Sequence, residues 1–218
     1  MSDTNVKRAG RLDTATISDA MDKLGIAGQC LGIKPLSPDF RFAGRAVTFR
    51  YTAAAKPAGS VGDYIDDVPP GSVIVLDNGG REDATVWGDI LTSVAHRRGV
   101  AGTLIDGACR DTDLARSLGY PVFSRSYSMR TGKDRVQLEA ADTIVTIGAA
   151  RVAPGDLVRG DADGAVVLPR QHEEAILETA EAIEHAETAI RAALDRGLRL
   201  DEARRAHNYH ALQRREQE

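Results

Sequence analysis

The chain reads as an α/β protein, and three observations predict it. Short apolar runs at Val73–Leu76, 100–106 and 121–126 have the length of buried strands. The segments between them, 84–98 and 112–118, carry helical spacing, and glycines close both, Gly99 and Gly119. Strand, helix, strand, helix, strand in that order implies locally parallel strands joined by right-handed crossovers.

The elements follow in chain order. Residues 14–24 place Ile17, Met21 and Leu24 on one helical face, with Thr14 or Thr16 as N-cap and Gly25 as the stop. Residues 43–53 alternate apolar and polar, as a half-buried strand does. The run Val73–Leu76 is entered through Pro-Gly and left through Asp-Asn-Gly-Gly. In 84–98, Val86, Ile90 and Val94 recur with Trp87 and Leu91 at helical spacing. Two acidic, glycine-bearing loops, 77–83 and 106–111, leave the carboxyl ends of adjacent strands, where open α/β sheets bind ligands.

After the polar loop 130–135 come short strands at hairpin spacing, with residues 161–164 (DADG) as a tight turn. Residues 171–196 read as one long helix. Its Ile176, Ile183 and Ile190 fall seven apart, a narrow seam suited to a neighbouring element or subunit. The expected organisation is one domain over 1–200 and a charged helical tail over 201–218.

Composition narrows the function classes. Of 218 residues, 28 are Lys or Arg and 32 are Asp or Glu, so the net charge of −4 argues against nucleic-acid and anionic-membrane partners. Two cysteines, Cys30 and Cys109, supply neither a disulfide framework nor a zinc site. No apolar run reaches 18 residues and the N-terminus lacks a signal-like core, so a soluble cytoplasmic protein is expected.

The chemistry-bearing constellation is Gly88-Asp89-Ile90-Leu91 followed by Asp106-Gly107-Ala108-Cys109-Arg110-Asp111. Twenty residues lie between Asp89 and Arg110, and one helix and one strand can return the chain to bring them together. Gly88 permits close backbone approach, and free N–H groups in the first helical turn can hold a carboxylate. Arg110 offers a fork for a carboxylate or a developing oxyanion, and Asp111 a hard oxygen ligand for Mg²⁺ or Mn²⁺. Spacing alone leaves a second reading open: Arg110 and Asp111 as a surface loop pair, Asp89 as an ordinary acid at a helix start.

The stretch VWGDILTSVAHRRGVAGTLIDGACRDTDLARSLGYPVFSR resembles the core signature of the class II pyruvate aldolases, which cleave 4-hydroxy-4-methyl-2-oxoglutarate and 4-carboxy-4-hydroxy-2-oxoadipate. The same superfamily holds the protein regulators of ribonuclease E activity. The resemblance runs from about Leu12 to Leu200 and includes SDAMDKLG, GRAVTFR, PGSVIVLD and PGDLVRGDADGAVVLPR. The aldolases carry an Asp, twenty residues, then Arg-Asp, and the regulators typically lack that first Asp. Asp89 therefore favours the enzyme over the alternative, a non-enzymatic protein that binds and inhibits ribonuclease E.

What the resemblance implies is specific. The fold is the swivelling β/β/α type, in trimers or hexamers with sites at subunit interfaces. Asp111 ligates Mg²⁺ or Mn²⁺, Arg110 contacts the pyruvyl group and its enolate, and Asp89 hydrogen-bonds a metal-bound water. Backbone amides at Ile90 and Leu91 hold the carboxylate of a small 2-oxo acid. A glutamate from an adjacent subunit matches Glu187, with Glu184 as the second match. The usual glutamate of the N-terminal helix region has no identifiable counterpart. Oxaloacetate decarboxylation, which passes through the same enolate, is the expected side activity.

The other candidates carry less. Cys109 reads as a nucleophile or a small buried filler, and no His stands near it in sequence. His207 and His210, three apart on the tail, read as a metal pair or, more simply, as a solvated helix face. Asp161-x-Asp163-Gly164 lacks the later glutamate of a calcium loop, and Gly59–Gly62 lacks the Lys and Ser/Thr of a phosphate loop. Lysines 7, 23, 34, 56 and 133 all fall outside the constellation, so a metal rather than a Schiff base is expected to stabilise the enolate.

Overall fold

The computed structural model describes residues 3–207 and 209. Two helices open the chain, α1 (Thr4–Arg11) and α2 (Thr14–Leu24). Asp13, not Thr14 or Thr16, caps α2: its carboxylate accepts from Thr16 N at 2.6 Å. Gly25 closes the helix at φ 69°, as the sequence predicts. α1 escapes the sequence reading because only Val6 and Ala9 are apolar in its eight residues, too few to show a period.

Next come β1 (Lys34–Pro35), β2 (Phe42–Ala53), a 3₁₀ turn (Asp63–Asp67), β3 (Val73–Thr85), α3 (Asp89–Arg97), β4 (Gly102–Cys109), α4 (Thr112–Leu118) and β5 (Val122–Tyr127). Then β6 (Val136–Ala141), β7 (Val145–Ile147), β8 (Ala150–Val152), β9 (Leu157–Asp161), β10 (Gly164–Leu168), α5 (Glu173–Asp195) and α6 (Leu200–Ala206) complete the described chain.

The predicted parallel unit is present: β2, β3, β4 and β5 pair in parallel as neighbours. They form the centre of a mixed eight-stranded sheet of order β1-β5-β4-β3-β2-β9-β10, with β6 also on β2. The fold is the expected α/β class, a swivelling β/β/α arrangement. Its layers follow from side-chain alternation along β3. Ile74 and Leu76 enter a core with Trp87, Ala95 and Ala115 of the α3–α4 side, whereas Val73 and Val75 enter one with Val145, Ile147, Ala150 and Val152 of the β7–β8 ribbon. Among the described residues, no helix is long and apolar enough to cross a membrane.

Five sequence expectations need correction. The predicted exit loop 77–83 is part of β3, which bulges at Asp77/Arg81 and again at Arg81/Thr85, with Gly79 and Gly80 at φ 61° and 71°. Similarly, β4 continues through Gly107, Ala108 and Cys109. The predicted helix at 84–98 begins only at Asp89: Val86 and Trp87 are buried ahead of it, and Ile90, placed on the apolar stripe, is 74% exposed. The isoleucine seam of α5 is covered by the chain itself. Ile176 and Ile183 pack with Ala9, Leu12, Ile17 and Met21 of the N-terminal segment, and Ile190 packs with Ala203 of α6. The seam is therefore no argument for a subunit contact. Ala203 also makes α6 a packed helix rather than a wholly exposed one, while most of the expected tail helix, from 210 onward, lies outside the described residues.

The predicted turn at 161–164 joins β9 to β10. Asp161 works as a structural acceptor there, taking Thr14 N and Thr14 Oγ1 at 2.7 Å each and Asp163 N at 3.0 Å. Burial alone would raise its pKa, but these bonds and Arg159 outweigh burial and hold the carboxyl below the usual aspartate range. A lowered native pKa adds stability above the unfolded value, near 3.9, and loses it as pH falls through the native value. Asp161→Asn should thus cost about 1–3 kcal/mol at pH 7 in urea unfolding. The gap to the parent should begin to close below about pH 4.

Candidate functional site

The site grows out of the β3–β4 pairing. The two strands stay in register from Val73↔Gly102 to Asp77↔Asp106, and β3 rejoins its neighbour at Thr85↔Ala108. The backbones remain linked beyond that point: Val86 N donates to Ala108 O at 3.3 Å, and Arg110 N donates to Trp87 O at 2.9 Å. Gly88 is thereby set against the Arg110-Asp111 pair. A Cβ on residue 88 would stand 2.8 Å from Asp111 Oδ2 and 3.2 Å from Arg110 Nε, so only glycine fits without displacing them.

The expected convergence of Asp89 with Arg110 and Asp111 is present. Asp111 Oδ2 accepts from Asp89 N at 3.2 Å and lies 3.3 Å from Arg110 Nε. Asp111 itself adopts a left-handed conformation (φ 56°, ψ 41°), which Asp visits more readily than most residues. The Asp89 carboxylate folds back, accepting Ile90 N at 2.8 Å through Oδ1. The first intrahelical bond of α3 runs from Thr92 N to Gly88 O, so the amides of Asp89, Ile90 and Leu91 precede the helical ladder.

A buried relay fixes this turn. Trp87 Nε1 donates to Thr92 Oγ1 at 2.9 Å, and that hydroxyl donates to Gly88 O at 2.8 Å. The Gly88–Asp89 peptide is thus held from its carbonyl side by Thr92 and from its N–H side by Asp111.

Beside this turn lies a cleft of about 550 Å³, lined by Trp87 and Gly88 but not by Thr92 or Asp111, which stand behind them. Asp89, Ile90, Leu91 and Arg110 line one part of it. Asp63, Ile65 and Asp66 of the 3₁₀ turn line another, and Thr131, Gly132 and Lys133 a third. Sequence reasoning missed the last two groups. Lys133, expected outside the constellation, lines the same cleft as Arg110, because the loop carrying it docks on the end of β3. Thr85 N and Oγ1 donate to and bond with Arg130 O, and Thr85 bridges to Thr131. No signal in the polar run 130–135 announced that contact.

Glu187 is not brought to the cleft of its own chain. Its carboxylate accepts from Arg191 and from Tyr209 Oη, at 3.3 and 3.2 Å, and Glu184 is likewise bonded to Arg191. Cys109 is a buried filler beside Ser124, its thiol pKa pushed up by burial. Cys30 is buried too, its pKa pushed up to about 12. Asp106 is taken by Arg125 Nε and by Gly148 N, and so belongs to the scaffold. His207 follows α6, and His210 lies outside the described residues. Among the described residues, no group of three or more His, Cys, Asp or Glu is placed to hold a metal.

A mixed α/β protein with an Arg-Asp pair and first-turn helix amides bonded only to carboxylates, not to the helical ladder, at the carboxyl edge of parallel strands has the features of a small-anion site. The chain belongs to the RraA-like family (Aldolase/RraA), whose profile matches residues 14–167. It is 38% identical over 200 residues to protein DlpA of Legionella pneumophila, covering 90% of this chain but only 32% of that longer protein. It is 32% identical over 169 residues, 78% of each chain, to a protein of Halalkalibacterium halodurans named "Putative 4-hydroxy-4-methyl-2-oxoglutarate aldolase". Among solved structures, RraAS2 of Streptomyces coelicolor, described as an unusual member of the RNase ES inhibitor RraA family, superposes with a TM-score of 0.79. It is 28% identical and covers 86% of this chain and 96% of its own.

The relay predicts a clean substitution series. Thr92→Val keeps the shape but leaves the buried Trp87 N–H without its acceptor, which should cost about 1–3 kcal/mol in urea unfolding. Thr92→Ser, which restores the hydroxyl, should recover most of that loss.

Proposed function

We propose that this protein is a divalent-metal-dependent carbon–carbon lyase that cleaves 4-hydroxy-4-methyl-2-oxoglutarate-type acids to pyruvate and decarboxylates oxaloacetate as a side activity. The observation that carries the reading is the convergence of Asp89, Arg110 and Asp111 around Gly88, where a side chain would push the Arg110 and Asp111 groups from their present positions. Asp89 also argues for the lyase over the ribonuclease-regulator alternative, which needs no proton acceptor at that place.

The donor set fits Mg²⁺ or Mn²⁺. Asp111 presents a half-exposed carboxylate whose Oδ1 takes no hydrogen bond among the described residues, a hard ligand for an ion that keeps most of its waters. Asp111 would hold the ion, and the bound ion would supply Lewis-acid charge at the keto and carboxylate oxygens.

The chain's own groups account for the remaining steps. The Ile90 and Leu91 amides receive the substrate carboxylate. Asp89 Oδ1 now stands on Ile90 N, as a substrate carboxylate would, so binding turns Asp89 away toward the C4 hydroxyl. There Asp89 accepts, through water, the hydroxyl proton. As the C3–C4 bond breaks, its electron pair forms the C2–C3 double bond of the enolate, C4 becomes a carbonyl, and Arg110 donates to the enolate oxygen. Water protonates C3, taking up in return the proton that Asp89 holds, and pyruvate is released. Glu187 completes the site only if a second copy supplies it, which makes a homo-oligomer, trimer or hexamer, part of the proposal.

The deciding experiment is a coupled assay for pyruvate release from a small panel of hydroxy-oxo acids. EDTA should abolish release and added Mg²⁺ should restore it; full activity in excess chelator would remove Asp111 from any metal role. Arg110→Lys keeps the charge but loses the planar fork, and should lower kcat about 10²–10³-fold. Asp89→Asn should lower aldol cleavage more than oxaloacetate decarboxylation, because only cleavage must deprotonate a hydroxyl. Equal losses in the two reactions would take Asp89 off the proton path.

A further inference from the structure

Lys133 is the cleft group that the mechanism above does not use. Its backbone is braced. Gly132 is pressed so close to Thr85 that a Cβ would fall 2.2 Å from Thr85 O, and Gly132 O accepts from both Arg135 N and Val136 N at 2.9 Å. Lys133 N is taken in turn by Thr131 Oγ1 at 3.2 Å. The loop is thus fastened to the strand that leads, three residues later, into Gly88.

The charges of the cleft give that position a chemical meaning. Its lining carries three carboxylates, Asp63, Asp66 and Asp89, against two cations, Arg110 and Lys133. Arg110 is engaged by Asp111 at 3.3 Å. Lys133 forms no ion pair among the described residues, although three acids share its cleft. A ligand with one carboxylate is served by the α3 amides and Arg110. The ion that Asp111 would hold serves the keto end of a ligand, so a second, distal carboxylate still needs an uncommitted cation to offset the acidic lining. The ammonium at the end of a flexible four-carbon stem is a point charge that reaches a carboxylate without demanding a fixed plane.

We infer that Lys133 selects 2-oxo acids bearing a second, distal carboxylate, an assignment that rests on the lyase reading above. The α3 amides take the carboxylate beside the keto group, and Lys133 takes the one at the far end of the carbon chain.

The test uses purified full-length protein with Mg²⁺, as parent, Lys133→Met and Lys133→Arg. Calorimetry compares 2-oxoglutarate with 2-oxopentanoate, which has the same chain length and a methyl in place of the distal carboxylate. The parent should prefer 2-oxoglutarate. Lys133→Met should weaken it tenfold or more while leaving 2-oxopentanoate within about twofold, and Lys133→Arg should keep the preference. In turnover, Lys133→Met should raise KM for 4-hydroxy-2-oxo dicarboxylates with kcat nearly unchanged, and should leave the 4-hydroxy-2-oxopentanoate KM alone. Equal effects on both ligands, no effect, or no binding of 2-oxoglutarate by the parent would overturn the assignment. So would borohydride reduction that fixes pyruvate covalently on Lys133, which would make it a nucleophile. A parent that releases no pyruvate, yet still loses its 2-oxoglutarate preference in Lys133→Met, would overturn the lyase reading and uphold the selection by Lys133.

Discussion

The hydrogen bond from Arg110 N to Trp87 O, 2.9 Å long, extends the β3–β4 pairing past the ends of both strands, and the cleft is organised by it. It sets Gly88 against the Arg110-Asp111 pair, so close that a methyl group there would displace the two side chains. From there the Gly88–Asp89 peptide is held on both sides, its N–H by Asp111 and its carbonyl by Thr92. The α3 amides thus point where they do because of a parallel pairing that began at Val73 and Gly102. Helix amides and side chains share one origin, and a shift of one strand against the other would misplace them together.

Polar groups on the same strand meet different fates according to how far along it they stand. Asp106 and Cys109 are inside the sheet and are committed, one to Arg125 and Gly148 and the other to Ser124. Arg110 and Asp111 stand just past the strand end, are half-exposed, and keep donor and acceptor capacity for a ligand. The other end of the molecule shows the committed pattern again. Buried Arg159 donates to the carbonyls of Leu12, Phe42 and Gly160, and Asp161 fixes the start of α2 to the β9–β10 turn. These bonds tie the N-terminal helices to the sheet and satisfy groups whose burial would otherwise be costly.

α5 shows how a sequence pattern can be right about packing and silent about the partner. Its isoleucines at intervals of seven are buried, as such a stripe must be, but α1, α2 and α6 of the same chain bury them. α1 shows no apolar period, so the stripe left a neighbouring element and a subunit equally open as its partner. Any assembly of this protein therefore has to be built on other surfaces than that seam.

The α/β class, the parallel unit, the glycine stops at Gly25, Gly99 and Gly119, and the Asp89–Arg110–Asp111 constellation were determined by the sequence alone. They rest on local rules: side-chain period, the backbone freedom of glycine, and the short return that one helix and one strand impose. What the tertiary structure decided came from contacts distant in sequence. The bulged continuation of β3 depends on pairing with β4, which lets Asp77–Asp83 extend where composition alone suggests a loop. The start of α3 at Asp89 depends on Val86 and Trp87 being drawn into the core. Lys133 joined the cleft because Gly132, with no side chain, lets its loop lie against Thr85 O, an approach between residues 47 apart that no pattern within either segment encodes.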